Sequence, residues 1–207
     1  MSTAYEVTGR TEQKQRTRQA LVRAARDLVA TGRSPTVEDA AEAAGISRTT
    51  AYRYFPNQRT LLVAAHPETG TRSMLPADPP HHPAERLAAV IGEFTKMILA
   101  TEAQQRTMLR LSLEADEAER AALPLRQGRA IGWLQEALAP LRGQLPDQGL
   151  ERLVLAIRSA VGIEALAWLT DVAHLSGEDA IELMSWSAQA MLHAALAGNP
   201  PPSAGSN

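Results

Sequence analysis

Through residues 13–30, "QKQRTRQALVRAARDLVA", the apolar positions Ala20, Leu21, Ala24, Ala25, Leu28 and Val29 recur at helical spacing. Arg and Lys occupy the other face, so the pattern predicts an amphipathic helix, ended by Thr31 and Gly32. A short second helix follows in "SPTVEDAAEAAG", with Thr36 as N-cap, Asp39 three residues on, and Gly45 as its stop. Ser47 caps a third, which ends at about Phe55 because Pro56 restricts the residue before it. Asn57 caps a fourth, "QRTLLVAAH".

Residues 67–83 hold five prolines and no periodicity, which predicts a linker. Pro83 suits the first turn of a new helix. Helical patterns then cover about 84–100, 102–118, 121–141, 147–174 and 177–197. The expected organisation is a flexible arm at 1–11, a four-helix unit at 12–66, the linker, a helical domain at 84–197 and a disordered tail at 198–207.

Composition agrees with an all-α chain, rich in Ala and Leu and poor in β-branched and aromatic residues. Its apolar share of 44% and charged share of 21% are those of a globular protein. With no Cys, disulfides, thiolate metal sites and Cys nucleophiles are excluded. The first ten residues lack an apolar run and carry Glu6, so no signal peptide is expected. The run "LVLAIRSAVGIEALAWLT" contains Arg158 and Glu164 and reads as a buried helix, not a membrane span, which places the protein in the cytoplasm.

The net charge of −2 conceals an asymmetry. Residues 1–60 carry ten Lys/Arg against six Asp/Glu, and the remainder eleven against seventeen. A basic front end on an acidic body fits a polyanionic partner, although an imbalance of that size also arises by chance.

The second and third helices, joined by a tight turn centred on Gly45, have the layout of a helix-turn-helix. Ala41, four residues before that glycine, supplies the small side chain that crossing helices need. Val37, Ala40, Ala44, Ile46, Ala51 and Phe55 can form a shared core. At 100° per residue Ala51 and Phe55 fall on one side of the third helix, with Thr49 and Arg53 nearly opposite and Thr50 and Tyr52 flanking. Hydroxyls, a phenol and a guanidinium on one face suit base edges and phosphates in a major groove.

The segment "TVEDAAEAAGISRTTAYRYFPNQRTLL" closely resembles the N-terminal DNA-binding segment of TetR-type (tetracycline-repressor-like) transcriptional regulators. The resemblance spans roughly residues 12–66, and the helical remainder is similar to that family's ligand-binding and dimerising body in architecture only. It implies double-stranded DNA as partner, with Thr36 on a phosphate, Arg48, Thr49, Thr50 and Arg53 at base edges, and Tyr52 and Tyr54 on the backbone. Ser47 and Gln58 complete the implied DNA-binding set; Gln58 departs from the family's usual Lys and removes a charge. Arg10, Lys14, Arg16 and Arg18 are candidates for further backbone contacts, and equally for a solvated helix face.

The resemblance further implies a homodimer on a palindromic operator and an unidentified small-molecule effector. The dimer surface expected from it uses Leu153, Val154, Ile157, Val161 and Trp168 on one helix and Ile181, Met184, Ala188, Met191 and Ala195 on the other, a stripe that ordinary core packing also explains. Pocket-lining candidates are Phe94, Met97, Ile98, Met108, Trp133 and Trp168, each of which also fits plain core packing. His81 and His82 lie between prolines without carboxylates at ligand spacing, so no metal is expected, and no cofactor or catalytic motif is present. The function expected is a transcriptional repressor released by its effector; the alternative is a helical small-molecule-binding module with weak or vestigial DNA binding.

Overall fold

The computed structural model describes residues 4–66, 72–118 and 128–202, with side chains from residue 11 onward. Among the described residues the elements are helices and no strand. They are α1 (Ala4–Ala30), α2 (Val37–Ala43), α3 (Arg48–Tyr54), α4 (Gln58–Ala65), α5 (Pro83–Ala100) and α6 (Glu102–Glu114). After these come α7 (Arg129–Ala137), a 3₁₀ turn (Ala139–Leu141), α8 (Asp147–Ala160), α9 (Ile163–Asp171) and α10 (Gly177–Leu196). The all-α class follows from the sequence pattern.

Two compact units divide the chain: residues 1–69 with 103–126, and residues 70–102 with 127–207. In the first, Leu21 and Ala25 of α1 meet Val37, Ala40, Ala41, Ala51, Phe55, Leu61 and Ala65 in one core. The i, i+4, i+8 series Leu21, Ala25 and Val29 is the buried stripe of α1. Val29 and Leu62 belong to a second cluster with Met108 and Leu111 of α6 and Ala115. Residues 103–118 therefore group with the front unit, not with the domain expected at 84–197, because their apolar face packs on α1 and α4.

The second unit is built on Leu87, Val90, Ile91 and Ile98 of α5, Leu134 of α7, Leu153 and Ile157 of α8, and Met184 and Leu192 of α10, all buried. Arg86 fastens its α5–α7 corner, donating through Nε to Ala137 O (2.9 Å), through Nη2 to Glu136 O (2.9 Å) and through Nη1 to Pro80 O (3.2 Å). Those bonds satisfy carbonyls at a helix end that has no further turn to pair with. The only fully buried polar residue among the described ones, Thr95, donates to Ile91 O at 2.8 Å.

Several boundaries differ from the sequence pattern. Helix α1 extends back to Ala4, through most of the expected arm. The stretch expected as one helix at 147–174 is two, because Val161 turns extended between them. Arg158 Nη1 donates to Val161 O (3.1 Å) and pairs with Glu164 Oε2 (3.3 Å) across the break. A Cβ on Gly162 would meet that guanidinium and the Glu164 carboxylate, both movable ends of flexible side chains. An 18-residue window within Asp147–Asp171 reaches the mean hydropathy (1.6) of a membrane span, yet Leu153, Val154, Ile157 and Leu166 are interior to the unit. Residues 72–82 are irregular, 67–71 of the expected linker and 203–207 of the expected tail lie outside the described residues, and so do 121–127 of the helix expected at 121–141.

Candidate nucleic-acid interface

The helix-turn-helix is fixed by its caps. Thr36 and Asp39 form a capping box: Asp39 N donates to Thr36 Oγ1 (3.1 Å) and Thr36 N to Asp39 Oδ2 (2.8 Å). At the other end of α2, Ile46 N donates to Ala41 O (2.8 Å) and Gly45 N to Glu42 O (3.1 Å), the two bonds of a Schellman motif. Gly45 takes φ +65° there, the left-handed conformation that only glycine adopts freely. Ser47 then caps α3, accepting from Thr50 N at 3.3 Å, and Asn57 caps α4, accepting from Thr60 N at 2.9 Å.

With both helix ends fixed, the faces sort. Ala51 and Phe55 are buried, while Ser47, Arg48, Thr49, Tyr52 and Arg53 are exposed and Thr50 is half-buried. Tyr54 departs from the expected outward set: its ring is half-buried against the Leu21–Phe55 core. Thr36 is exposed, but its N–H and hydroxyl are both engaged by Asp39, the hydroxyl donating to Oδ2 at 2.9 Å. Gln58 also turns inward, its Nε2 donating to Ser34 O (3.0 Å) and Pro35 O (3.1 Å). It ties the α1–α2 loop to the start of α4.

Glu38, whose acidity in the sequence argues against a base contact from α2, joins the outer face. Tyr52 Oη donates to Glu38 Oε1 at 2.5 Å. That bond, the residue's own N–H, the Thr36 hydroxyl and the Arg48 charge hold the Glu38 carboxyl below its ordinary range. The same bond, with some burial and the Glu38 charge, raises the Tyr52 phenol. Asp39 is held low by the Thr36 N–H and hydroxyl and by Arg33, 3.6 Å away. In α1, Arg18 lies over the Phe55 ring at 5.3 Å, and Arg16 is 3.9 Å from Glu12, while Lys14 is exposed. The Arg10 side chain lies outside the described residues.

The other expected sites scatter. Phe94 and Trp133 meet edge to face with centroids 5.7 Å apart, and Ile98 is buried in the same unit. Met97 is half-buried on α5, Met108 is core of the front unit, and Trp168 is 59% exposed. Met108 therefore belongs to one compact unit and the other five to the second. On the expected dimer surface, Leu153, Val154, Ile157, Val161, Met184 and Ala188 are enclosed by their own chain, and Ile181 and Met191 are half-buried. The six enclosed residues are core of their own chain. What α9 and α10 present outward is Trp168, Leu183 and Trp186, the last 67% exposed, beside a groove of about 250 Å³ lined by Ala160, Ala165, Leu169 and Ser187. Trp186 falls outside the periodic stripe because it lies about 200° around the helix from both Met184 and Ala188. His82 caps α5, its Nδ1 accepting from Ala84 N at 3.3 Å, and no three acidic or His side chains gather among the described residues.

An all-α front unit that displays a capped helix-turn-helix with an Arg-, Thr- and Tyr-bearing outer face defines a DNA-binding protein of that class. Residues 21–65 match the family of bacterial regulatory proteins described as the tetR family. The fold is similar to a TetR transcriptional regulator from Rhodococcus sp. RHA1, at 18% identity and a TM-score of 0.53, over 85% of this chain and 96% of that one. No curated protein matches the sequence. Over residues 21–65 the chain thus carries the N-terminal segment of the tetR family of regulatory proteins, and the solved structure shows a likeness of fold.

Proposed function

We propose that this regulator is a cytoplasmic homodimeric repressor that leaves a palindromic operator when a small-molecule effector binds. The observation that carries the DNA half of this reading is the outer face of α3. Arg48, Thr49, Tyr52 and Arg53 point away from Ala51 and Phe55, as a helix laid in the major groove requires. Dimerisation is supported by the exposed Trp168 of α9 and Trp186 of α10, large apolar side chains that a solitary chain would leave in water. One recognition helix reads too few bases for selective binding, and two set about one DNA turn apart read a palindrome.

The effector half rests on the second unit being a separate helical body with its own core. An effector that prefers one arrangement of the dimer shifts the operator equilibrium only by its difference in affinity for the two states. We read no catalytic role in the chain.

Enrichment of duplexes from a random pool, followed by titration at several salt concentrations, tests the reading. A palindrome with steeply salt-dependent affinity is expected, because neutralised phosphates release counterions. Binding no tighter than to bulk DNA would sink the operator reading and favour a helical small-molecule-binding module.

A further inference from the structure

Glu38 and Tyr52 come from different helices but meet on the outer face of the front unit, the phenol donating to the carboxylate at 2.5 Å. Arg48, which opens α3, is near enough for its charge to act on the same carboxylate. Against DNA phosphates a carboxylate is a liability, since it adds a like charge where binding depends on cations. On a face that reads base edges, though, an ionised carboxylate accepts only and therefore selects donors. In the major groove those donors are the exocyclic amines of cytosine and adenine. Adenine sets its N7 acceptor beside the amine, which repels a carboxylate; cytosine has no acceptor there. The guanine paired with that cytosine offers O6 and N7, the acceptors that suit a neighbouring guanidinium such as Arg48.

We propose that Glu38 is a specificity-determining residue that accepts a hydrogen bond from cytosine N4 in each operator half-site, oriented for it by the Tyr52 phenol. The inference rests on the operator-binding reading above. It makes the acidic residue a source of selectivity, where charge alone would have it weaken every duplex equally. Tyr52, in turn, becomes a positioning residue whose hydroxyl is committed to Glu38.

The test is enrichment from a random duplex pool with the full-length wild-type protein and with Glu38→Ala, Glu38→Gln and Tyr52→Phe, thermal unfolding being measured alongside. The wild type is expected to fix a C·G pair in each half-site. Glu38→Ala should lower the preference for cytosine there roughly tenfold while the other positions keep theirs. Glu38→Gln should move the preference toward adenine, whose N6 and N7 match a side-chain amide. Tyr52→Phe should weaken selection at that same position and leave Arg-read positions intact. An enriched palindrome that Glu38→Ala leaves unchanged, or weakens uniformly at every position, overturns this inference alone. A wild-type protein that enriches no duplex overturns the operator reading beneath it.

Discussion

Gln58 Nε2 and the Ser34 carbonyl are 3.0 Å apart, and Arg110 Nη2 donates to the hydroxyl of the same serine at 2.9 Å. One loop residue thus receives the start of α4 and the middle of α6. Gln58 fills the position where the family carries a phosphate-binding Lys, yet here it holds the strand of backbone leading into Thr36. Gln58→Ala is expected to destabilise the front unit by about 1 kcal/mol, the net worth of a lost hydrogen bond. Faster amide exchange should appear around residues 34–36. Thermal unfolding and hydrogen exchange check this; unchanged protection in that loop would leave Gln58 as a solvent-facing residue.

The turn between α2 and α3 depends on Gly45 for its backbone, not for space. A Cβ there meets nothing within 4 Å, but φ is +65°. Gly45→Ala should therefore cost about 1–2 kcal/mol, the left-handed penalty of an L-residue, with no steric part. Gly45→Asn, whose side chain tolerates that region, should recover part of the loss. Chemical denaturation of the two variants side by side is the measurement, and equal stability of all three proteins would contradict it.

Much of this was legible in the sequence because it is local. Thr36 with Asp39, Gly45, Ser47, and Pro56 followed by Asn57 each carry a cap or a stop within three or four residues, and the helix bounds follow from them. The inward and outward faces of α3 follow from its period alone, apart from Tyr54. What was not legible depends on a third element. Tyr54 turns inward because the core around Leu21 and Phe55 has room for its ring. Periodicity marked Leu153, Ile157 and Met184 as an apolar stripe but could not say whether their own chain or a partner covers it. The grouping of α6 with the front unit depends on Met108 meeting Val29 and Leu62, contacts far apart in sequence.

Titration of the Glu38–Tyr52 pair has a definite direction at both ends. The Glu38 carboxyl lies below its ordinary 4.5, so its contribution to the fold is present above that value and is lost as pH falls through the depressed one. Tyr52 lies above its ordinary 10.0, so its contribution is present below that value and is lost as pH rises through the raised one. NMR titration should show Glu38 as a low-titrating carboxylate and Tyr52 as a high-titrating phenol. In Tyr52→Phe the Glu38 midpoint should move back toward its ordinary value; a midpoint that stays put would mean the hydrogen bond is not its cause.

Arg53 is exposed in the last turn of α3, on the side opposite Ala51 and Phe55. Arg53→Ala is expected to relax base preference at one position per half-site and to cost about 1–3 kcal/mol there. A variant that loses affinity for all duplexes equally would show Arg53 to be a phosphate contact instead. Competition titrations with single-base operator variants separate the two.

The tryptophans of α9 and α10 and the buried stripe beside them should respond to mutation in opposite ways. Trp186→Glu, at a residue 67% exposed in the single chain, leaves the core intact and places a charge where a partner subunit would lie. It should yield a folded monomer with near-normal thermal stability that no longer retains a palindrome but still binds bulk DNA weakly. Ile157→Ala, at a fully buried residue, should instead destabilise the chain by about 2–5 kcal/mol through the cavity it leaves, whatever the oligomeric state. Light scattering and thermal unfolding on both variants decide the matter. A Trp186→Glu protein that stays dimeric would place the subunit surface elsewhere on the chain.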